Sequence, residues 1–388
     1  MSRLQKLIDE LCPNGVEYKR VDEICNKVFA GGTPKTSNDS YYGGNIPWLR
    51  SGEINFNSIY DAEIKITEDG LNNSSAKIIK EKSVLIAMTG ATVARSAVNE
   101  IELTANQSVC AMEVSDKINY KYLYYNIANM YNEIKGMAQG ALTSINLNII
   151  KSISIPVPPL EVQREIVCIL DKFVNYNELL DSEFKKRKKQ LEFVMQEELK
   201  VKNFNKFCTI GELCKIEKGK TPLQKAVSGK YPLVATTEYL QSSDKYQFDC
   251  EAVCMPLISS RGHGVASITR IFYQQGKFAL GNILCAIIPK NNKIKAEFLR
   301  HYLYYNKDFL LVPLMTGGAN VSLTIDSLKN VKVPVTSLEN QNRIIKKINT
   351  LYKILDKKNG LPAEIELRQK QYEYYRDKLL TFKELKIC

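Results

Sequence analysis

The segment IPVPPLEVQREIV (Ile155 to Val167) passes from a strand to a helix within a few residues. Pro156, Pro158 and Pro159 end the strand because proline has no N–H to give to a ladder, and Glu161 stands in the first helical turn, where the dipole favours a carboxylate. From Leu160 to about Leu199 the chain has no Pro or Gly. Ile166, Ile169, Leu170, Phe173, Asn177, Leu180, Phe184, Leu191 and Met195 recur at near-heptad spacing, which predicts one long helix with a narrow apolar seam. A seam that narrow needs a partner helix.

A second copy supplies it. VPVTSLENQNRII (Val333 to Ile345) matches at Pro334, Val335, Leu338, Glu339, Gln341 and Ile344. Its seam continues through Ile348, Leu351 and Leu355, breaks at NGLP (Asn359 to Pro362), and resumes at Leu367, Tyr372, Tyr375 and Leu379. Upstream the same order recurs. VDEIC (Val21 to Cys25) answers to IGELC (Ile210 to Cys214), GGTP (Gly31 to Pro34) to GKTP (Gly219 to Pro222), and ANQSVCAME (Ala105 to Glu113) to LGNILCAII (Leu280 to Ile288). The pentapeptide YLYYN stands at residues 122–126 and, unchanged, at 302–306. A period this long is no solenoid; it is a duplicated domain with its attached helix.

The expected fold is therefore α+β. Two globular domains, each a curled β-sheet with helices, occupy 1–159 and 201–337, and spacer helices occupy 160–200 and 338–388. The strings SVLIAM, SVCAMEV and ISIPV read as strands between Gly-, Asn-, Ser- and Thr-rich loops. One helix is expected around Tyr120 to Ile134, with Leu123, Ile127, Met130 and Ile134 on one face. That makes YLYYN a packing helix, with base stacking by its tyrosines as the competing reading. Two helices of about forty residues would each reach about 60 Å. Run antiparallel as a coiled coil, they would set the two domains in pseudo-twofold relation, long enough to span DNA half-sites about 34 to 36 Å apart.

Composition narrows the function. Across 388 residues, 54 Lys and Arg against 42 Asp and Glu leave a formal charge of +12, which predicts attraction to a polyanion. Nucleic acid is preferred to an anionic membrane, since neither terminus is a basic amphipathic helix with a greasy face. No run of about 18 apolar residues occurs, and MSRLQKLIDELCPNG is amphipathic and too short on apolar length for a signal, so a cytoplasmic protein without a membrane partner is expected. Among ten cysteines, Cys25/Cys214 and Cys110/Cys285 fall at equivalent places in apolar strings and read as core thiols. Cys250, Cys254 and His263 could be imagined as a zinc site, but a second ligand pair is missing and the first copy has no counterpart. KKRKK (Lys185 to Lys189), flanked by Asp181, Glu183 and Glu192, reads as a solvated helix face.

The order GGTP, YYGGNIPWLRSGEI (Tyr41 to Ile54), MTGATVARSAV (Met88 to Val98), ANQSVCAM and ISIPVPPLEVQREIVCILD (Ile153 to Asp171) resembles the specificity subunit of type I restriction-modification systems, over essentially the whole chain and twice. The second copy departs from the pattern, with two prolines replaced in VTSLENQNRII and one Gly lost in GKTP. The resemblance implies a target-recognition domain in each globular part, each reading one half of a split sequence on double-stranded DNA. The helices would act as ruler and as docking surface for two modification (methyltransferase) subunits. It also implies that S-adenosylmethionine, ATP and Mg are bound by partners, including restriction (translocase/nuclease) subunits, with no cofactor, metal or catalysis in this chain. In keeping with that, the chain has no Asp-Pro-Pro-Tyr or Asn-Pro-Pro-Tyr string, no GxGxxG and no GxxxxGK[ST], and neither His263 nor His301 has an identifiable nucleophile context. A nucleic-acid-binding adaptor for other enzymes, with the same helices but no restriction partner, is the alternative.

Readout of base edges needs Arg or Lys for guanine, Asn or Gln for adenine, and hydroxyls for either. In the first domain these gather in Gly-containing loops: Thr33, Lys35, Thr36 and Ser37; Arg50 and Ser51; Thr89, Thr92 and Arg95; and then Gln139, Thr143, Ser144 and Asn146. The second offers Lys220 and Thr221, Thr236 and Thr237, Ser259, Ser260, Arg261 and His263, and Thr316, Asn320 and Ser322. For any one of them the bland reading is turn chemistry. Trp48 is expected in the core. Framework strings agree between copies while these loops diverge, which predicts an asymmetric, bipartite target.

Overall fold

The computed structural model describes residues 3–138, 144–237, 241–259, 268, 270–317 and 321–385. The chain divides into two compact units, one of residues 1–179 with 365–388, the other of residues 180–364.

In the first unit a five-stranded sheet runs in the order Cys25–Ala30, Val109–Val114, Val84–Ala87, Ser96–Asn99, Asn57–Ile59. The strand Tyr42–Leu49 forms a second sheet between Ile64–Ile66, antiparallel, and Thr104–Ala105, parallel. Tyr18–Arg20 pairs with Ser154–Pro156, just before the long helix. The second unit repeats this plan: Cys214–Lys218, Leu284–Pro289, Ala252–Pro256 and Phe272–Gln274 form the main sheet, Tyr231–Val234 runs parallel to Lys277–Leu280, and Phe207–Thr209 pairs with Lys332–Pro334. The duplication read from the letters is a duplication of strand order.

The Pro- and Gly-free stretch is a single helix, Leu160–Leu199. Its first half lies in the first unit, where Phe173 stacks on Tyr375 at 5.6 Å and Asn177 donates to Gln369 at 3.3 Å in the helix Leu361–Leu380. Rising residue numbers on one helix meet falling numbers on the other, so the pair is antiparallel. In the second unit the last turns do the same against Leu338–Ile354: Tyr352 Oη reaches Met195 Sδ, and Glu198 takes a bidentate bond from Arg343 with both distances at 2.7 Å, plus Lys347 at 2.7 Å. The hydrogen bonds from Arg343, then those from Lys347, hold the Glu198 carboxyl down at about 2. The seam differs from the heptad reading at three points. Leu338 is 41% exposed, Leu367 67% and Tyr375 38%: in the first of these helices burial starts at Gln341, and the break before Leu361 resets the angular phase of the second.

YLYYN is a packing helix in both copies. Tyr122, Leu123, Tyr125 and Asn126 are buried, as are Tyr302, Leu303 and Asn306. In each copy the Asn amide donates back to the first Tyr carbonyl, at 2.9 Å in one and 3.0 Å in the other. The helix expected through Ile134 instead breaks at Met130, whose ψ opens to 11°, and resumes as Tyr131–Gly136. The break returns Ile134 to the core while Tyr131 meets Phe56 edge-on at 5.3 Å.

The glutamine of Leu-Glu-x-Gln explains why that motif recurs. Gln163, fully buried, accepts from the Asn119 N–H at 2.8 Å and donates to the Lys117 and Pro158 carbonyls at 3.2 and 2.7 Å. Gln341 repeats this with Lys295 N–H, Lys293 and Thr336 at 2.8, 2.9 and 2.9 Å. One side chain thus ties the start of the seam helix to the start of the YLYYN helix, and in the first copy it satisfies the buried Pro158 carbonyl.

Cys110, Cys214 and Cys285 are core residues, with Cys25 half-buried; burial pushes the Cys25, Cys214 and Cys285 thiols up to about 12. KKRKK is a largely solvated face carrying the Arg187–Glu183 pair at 2.7 Å. No described helix is long and apolar enough to cross a membrane.

Candidate nucleic-acid interface

The described candidate loops of the first unit converge on one end of its sheets. At that end Cys25–Ala30 runs out into GGTP, Val84–Ala87 into Met88 and Thr89, and Tyr42–Leu49 into Arg50 and Ser51; Ser96–Asn99 starts there after Arg95, and Val109–Val114 after Asn106 and Gln107. Hydrogen bonds knit these loops. Thr33 Oγ1 bonds to Gln107 Oε1, Thr92 Oγ1 donates to the Ser51 carbonyl at 3.0 Å, Arg95 Nη1 donates to Asn55 Oδ1 at 2.9 Å, and Thr89 bridges to Ser144. Lys35, Thr36 and Ser37 are exposed beside them, and Asn146 caps Leu147–Ser152 by accepting from the Ile149 N–H. Arg50 spans Glu53 and Glu63, so a DNA phosphate would have to compete with two carboxylates for it. Trp48 is 6% exposed with its indole N–H on the Gly32 carbonyl at 3.0 Å, a core residue as expected.

The second unit presents the equivalent end. The Gly219 N–H donates to the Leu284 carbonyl at 2.9 Å, as Gly31 does to Val109. Both glycines are needed: a Cβ would stand 2.2 Å from the Ala105 oxygen at Gly31 and 2.1 Å from the Gly281 oxygen at Gly219. Lys220 and Thr221 follow, Thr221 bridging to Gly281, while Gln247 takes the Lys220 N–H at 2.9 Å and donates to the Lys218 carbonyl at 2.9 Å. Thr236 and Thr237 follow the strand Tyr231–Val234 in a bend, and Ser259 pairs in the ladder with Val321, beside Ser322 and Thr316. Gln139, Thr143, Ser260, Arg261, His263 and Asn320 lie outside the described residues.

Reasoning from residue type missed several groups that the fold brings to this end: Gln107 and Gln247, which brace the glycine loops, and Asn55, Phe56 and Tyr131 around Arg95. The hydrogen bond from Lys135, at 3.1 Å, and the nearby Arg95 draw the Tyr131 phenol below its ordinary value. No compositional signal marks a glutamine that braces a loop in place of a base. Among the described residues no group of three or more His, Cys, Asp and Glu could hold a metal ion.

Comparison with known proteins agrees with this architecture. The family model described as type I restriction modification DNA specificity domain matches twice, at residues 13–192 and 203–367. The specificity subunit of the Escherichia coli type I restriction enzyme EcoR124I/EcoR124II is 30% identical over 73% of this chain and 76% of its own. The crystal structure of the type I restriction-modification S subunit from M. genitalium superposes with a TM-score of 0.59 at 16% identity, over 94% of this chain and 96% of that one. The HsdS subunit from Thermoanaerobacter tengcongensis gives 0.53 at 17% identity, over 95% and 97%. Two matches to one domain model, on a chain whose strand order repeats in the same two places, have one explanation: this chain belongs to the type I restriction-modification DNA specificity family and is a specificity subunit.

Proposed function

We propose that each unit reads one half of an asymmetric, bipartite sequence on double-stranded DNA, and that the chain itself performs no chemistry. The observation that carries this reading is the pair of equivalent sheet ends. Both rest on the same glycine, strand order and glutamine-braced loops, yet they display unlike side chains: Arg50, Thr92 and Arg95 on one, Lys220, Thr236 and Thr237 on the other. A rigid frame with variable loops suits sequence discrimination, and unlike loops suit unlike half-sites. The excess of Lys and Arg supplies the nonspecific part of the affinity.

In this reading the helical seam docks two modification subunits, which bring S-adenosylmethionine and methylate adenine, and restriction subunits add ATP- and Mg-dependent translocation and cleavage. Methylome sequencing of the host with and without the gene tests it: one split adenine motif should vanish on deletion, and an unchanged methylome refutes the proposal. Arg95→Ala should relax discrimination at one base pair by about 1 to 3 kcal/mol, since a bidentate guanine contact is worth that much. Competition binding across single-base variants of the motif checks this. A uniform loss on all sequences would instead assign Arg95 to phosphate.

A further inference from the structure

We propose that Phe56 is a specificity residue, reading the C5 methyl of a thymine adjacent to the guanine held by Arg95. The inference rests on the DNA-reading role proposed above. Phe56 has φ +56°, the left-handed region in which a residue with a β-carbon is strained. Full burial does not offset that strain, because the residue is 40% exposed; its ring meets Tyr131 edge-on. The surroundings hold the conformation in place: the Phe56 N–H donates to the Ser96 carbonyl at 2.9 Å, and the preceding Asn55 N–H is capped by Asn57 Oδ1 at 2.8 Å.

A second strained residue lies on the other side of the same hydrogen bond. Ala94, with φ +67° and fully buried, immediately precedes Arg95, whose guanidinium donates to Asn55 Oδ1 at 2.9 Å. Two left-handed residues therefore bracket one contact, at the sheet end where the candidate loops converge, and what they achieve together is to present a guanidinium beside a partly exposed apolar ring. Strain of this kind persists where it positions functional groups. Asn55 and Tyr131 each take one of five Arg donors and orient the plane, leaving three for the O6 and N7 acceptors of guanine. Phe56 follows Asn55 directly, and Tyr131 touches both the Phe56 ring and Arg95, so the ring stands beside the guanidinium. A base next to the guanine would face it, and the apolar feature of the major groove that suits it is the thymine methyl.

The test uses the full chain assembled with its modification subunits and duplexes bearing the methylome-defined motif, with each thymine replaced singly by deoxyuridine. Wild type should lose about threefold to fivefold in binding at one thymine, the worth of one buried methyl group. That thymine should adjoin the guanine whose discrimination Arg95→Ala relaxes. Phe56→Gly should bind thymine and uracil duplexes equally while its unfolding midpoint stays close to wild type, since glycine relieves the left-handed strain as the ring contact is lost. Phe56→Leu, which keeps an apolar group, should retain part of the uracil sensitivity. A motif with no thymine beside that guanine, or equal uracil sensitivity in wild type and Phe56→Gly, overturns the proposal and leaves sequence reading by this unit intact. Absence of any sequence preference in wild type removes both together.

Discussion

Gln163→Leu is expected to destabilise the first unit by about 2 to 4 kcal/mol, because the substitution keeps the volume and unpairs three backbone groups, the buried one at a cost of about 1 to 3 kcal/mol and the two part-buried ones at less. The groups are the Asn119 N–H and the Lys117 and Pro158 carbonyls. A loss of that size is a large share of an ordinary domain's stability of about 5 to 15 kcal/mol. The single tryptophan, Trp48, lies in the same unit and provides the probe: urea titration followed by its fluorescence should show the midpoint falling steeply. Glu161→Gln, on an exposed position of the same turn, should move it by less than about 0.5 kcal/mol. A Gln163→Leu shift below about 1 kcal/mol would mean that water or local rearrangement satisfies those groups, and the clamp would lose its energetic role.

Acid should destabilise the second unit through His301. The equivalent joints of the two copies are built differently. In the first, Lys121 Nζ pairs with Asp171 at 2.8 Å, and the Tyr125 hydroxyl donates to the same carboxylate at 2.6 Å. In the second, His301 stands where Lys121 stood and Asn349 where Asp171 stood; Nε2 meets Asn349 Oδ1 at 3.1 Å and the ring stacks on Tyr352 at 5.8 Å. Burial, then the neighbouring Arg300, lowers His301 from 6.5 to about 4. Below 6.5 the unfolded chain binds a proton that the folded one refuses, so stability is full above 6.5 and falls as pH drops toward 4. Between pH 7.5 and 4.5 this amounts to about 2.5 kcal/mol, which His301→Gln should remove from the pH dependence. Urea midpoints of the full chain by circular dichroism, compared at those two pH values, measure it. An identical pH dependence in the variant would show that His301 titrates normally.

The elements legible from the letters were those whose signal is local. Proline marked the start of Leu160–Leu199, the Pro- and Gly-free run with its apolar seam marked its length, and the repeated strings located equivalent strands, because a strand exit or a helix turn is specified by residues a few positions apart. Buried Trp48 and the packed YLYYN helices followed from apolar patterning. The break at Met130 and the exposure of Leu338 and Leu367 did not, since periodicity gives a face and its neighbours decide how far that face is covered.

The sequence by itself determined the duplication, the long helix, the excess of positive charge and the hydroxyl- and Arg-bearing loops, all of which depend on order and composition along the chain. Only the tertiary structure decided that strands from Ala30 to Val109 end on one edge, that Gln163 and Gln341 close buried backbone, that a Lys–Asp pair in one copy became His–Asn in the other, and that Phe56 stands strained beside Arg95. Each of these is a pairing between residues distant in sequence. Its energy comes from desolvation, hydrogen bonding or steric compulsion at a site that exists only when the chain has closed around it.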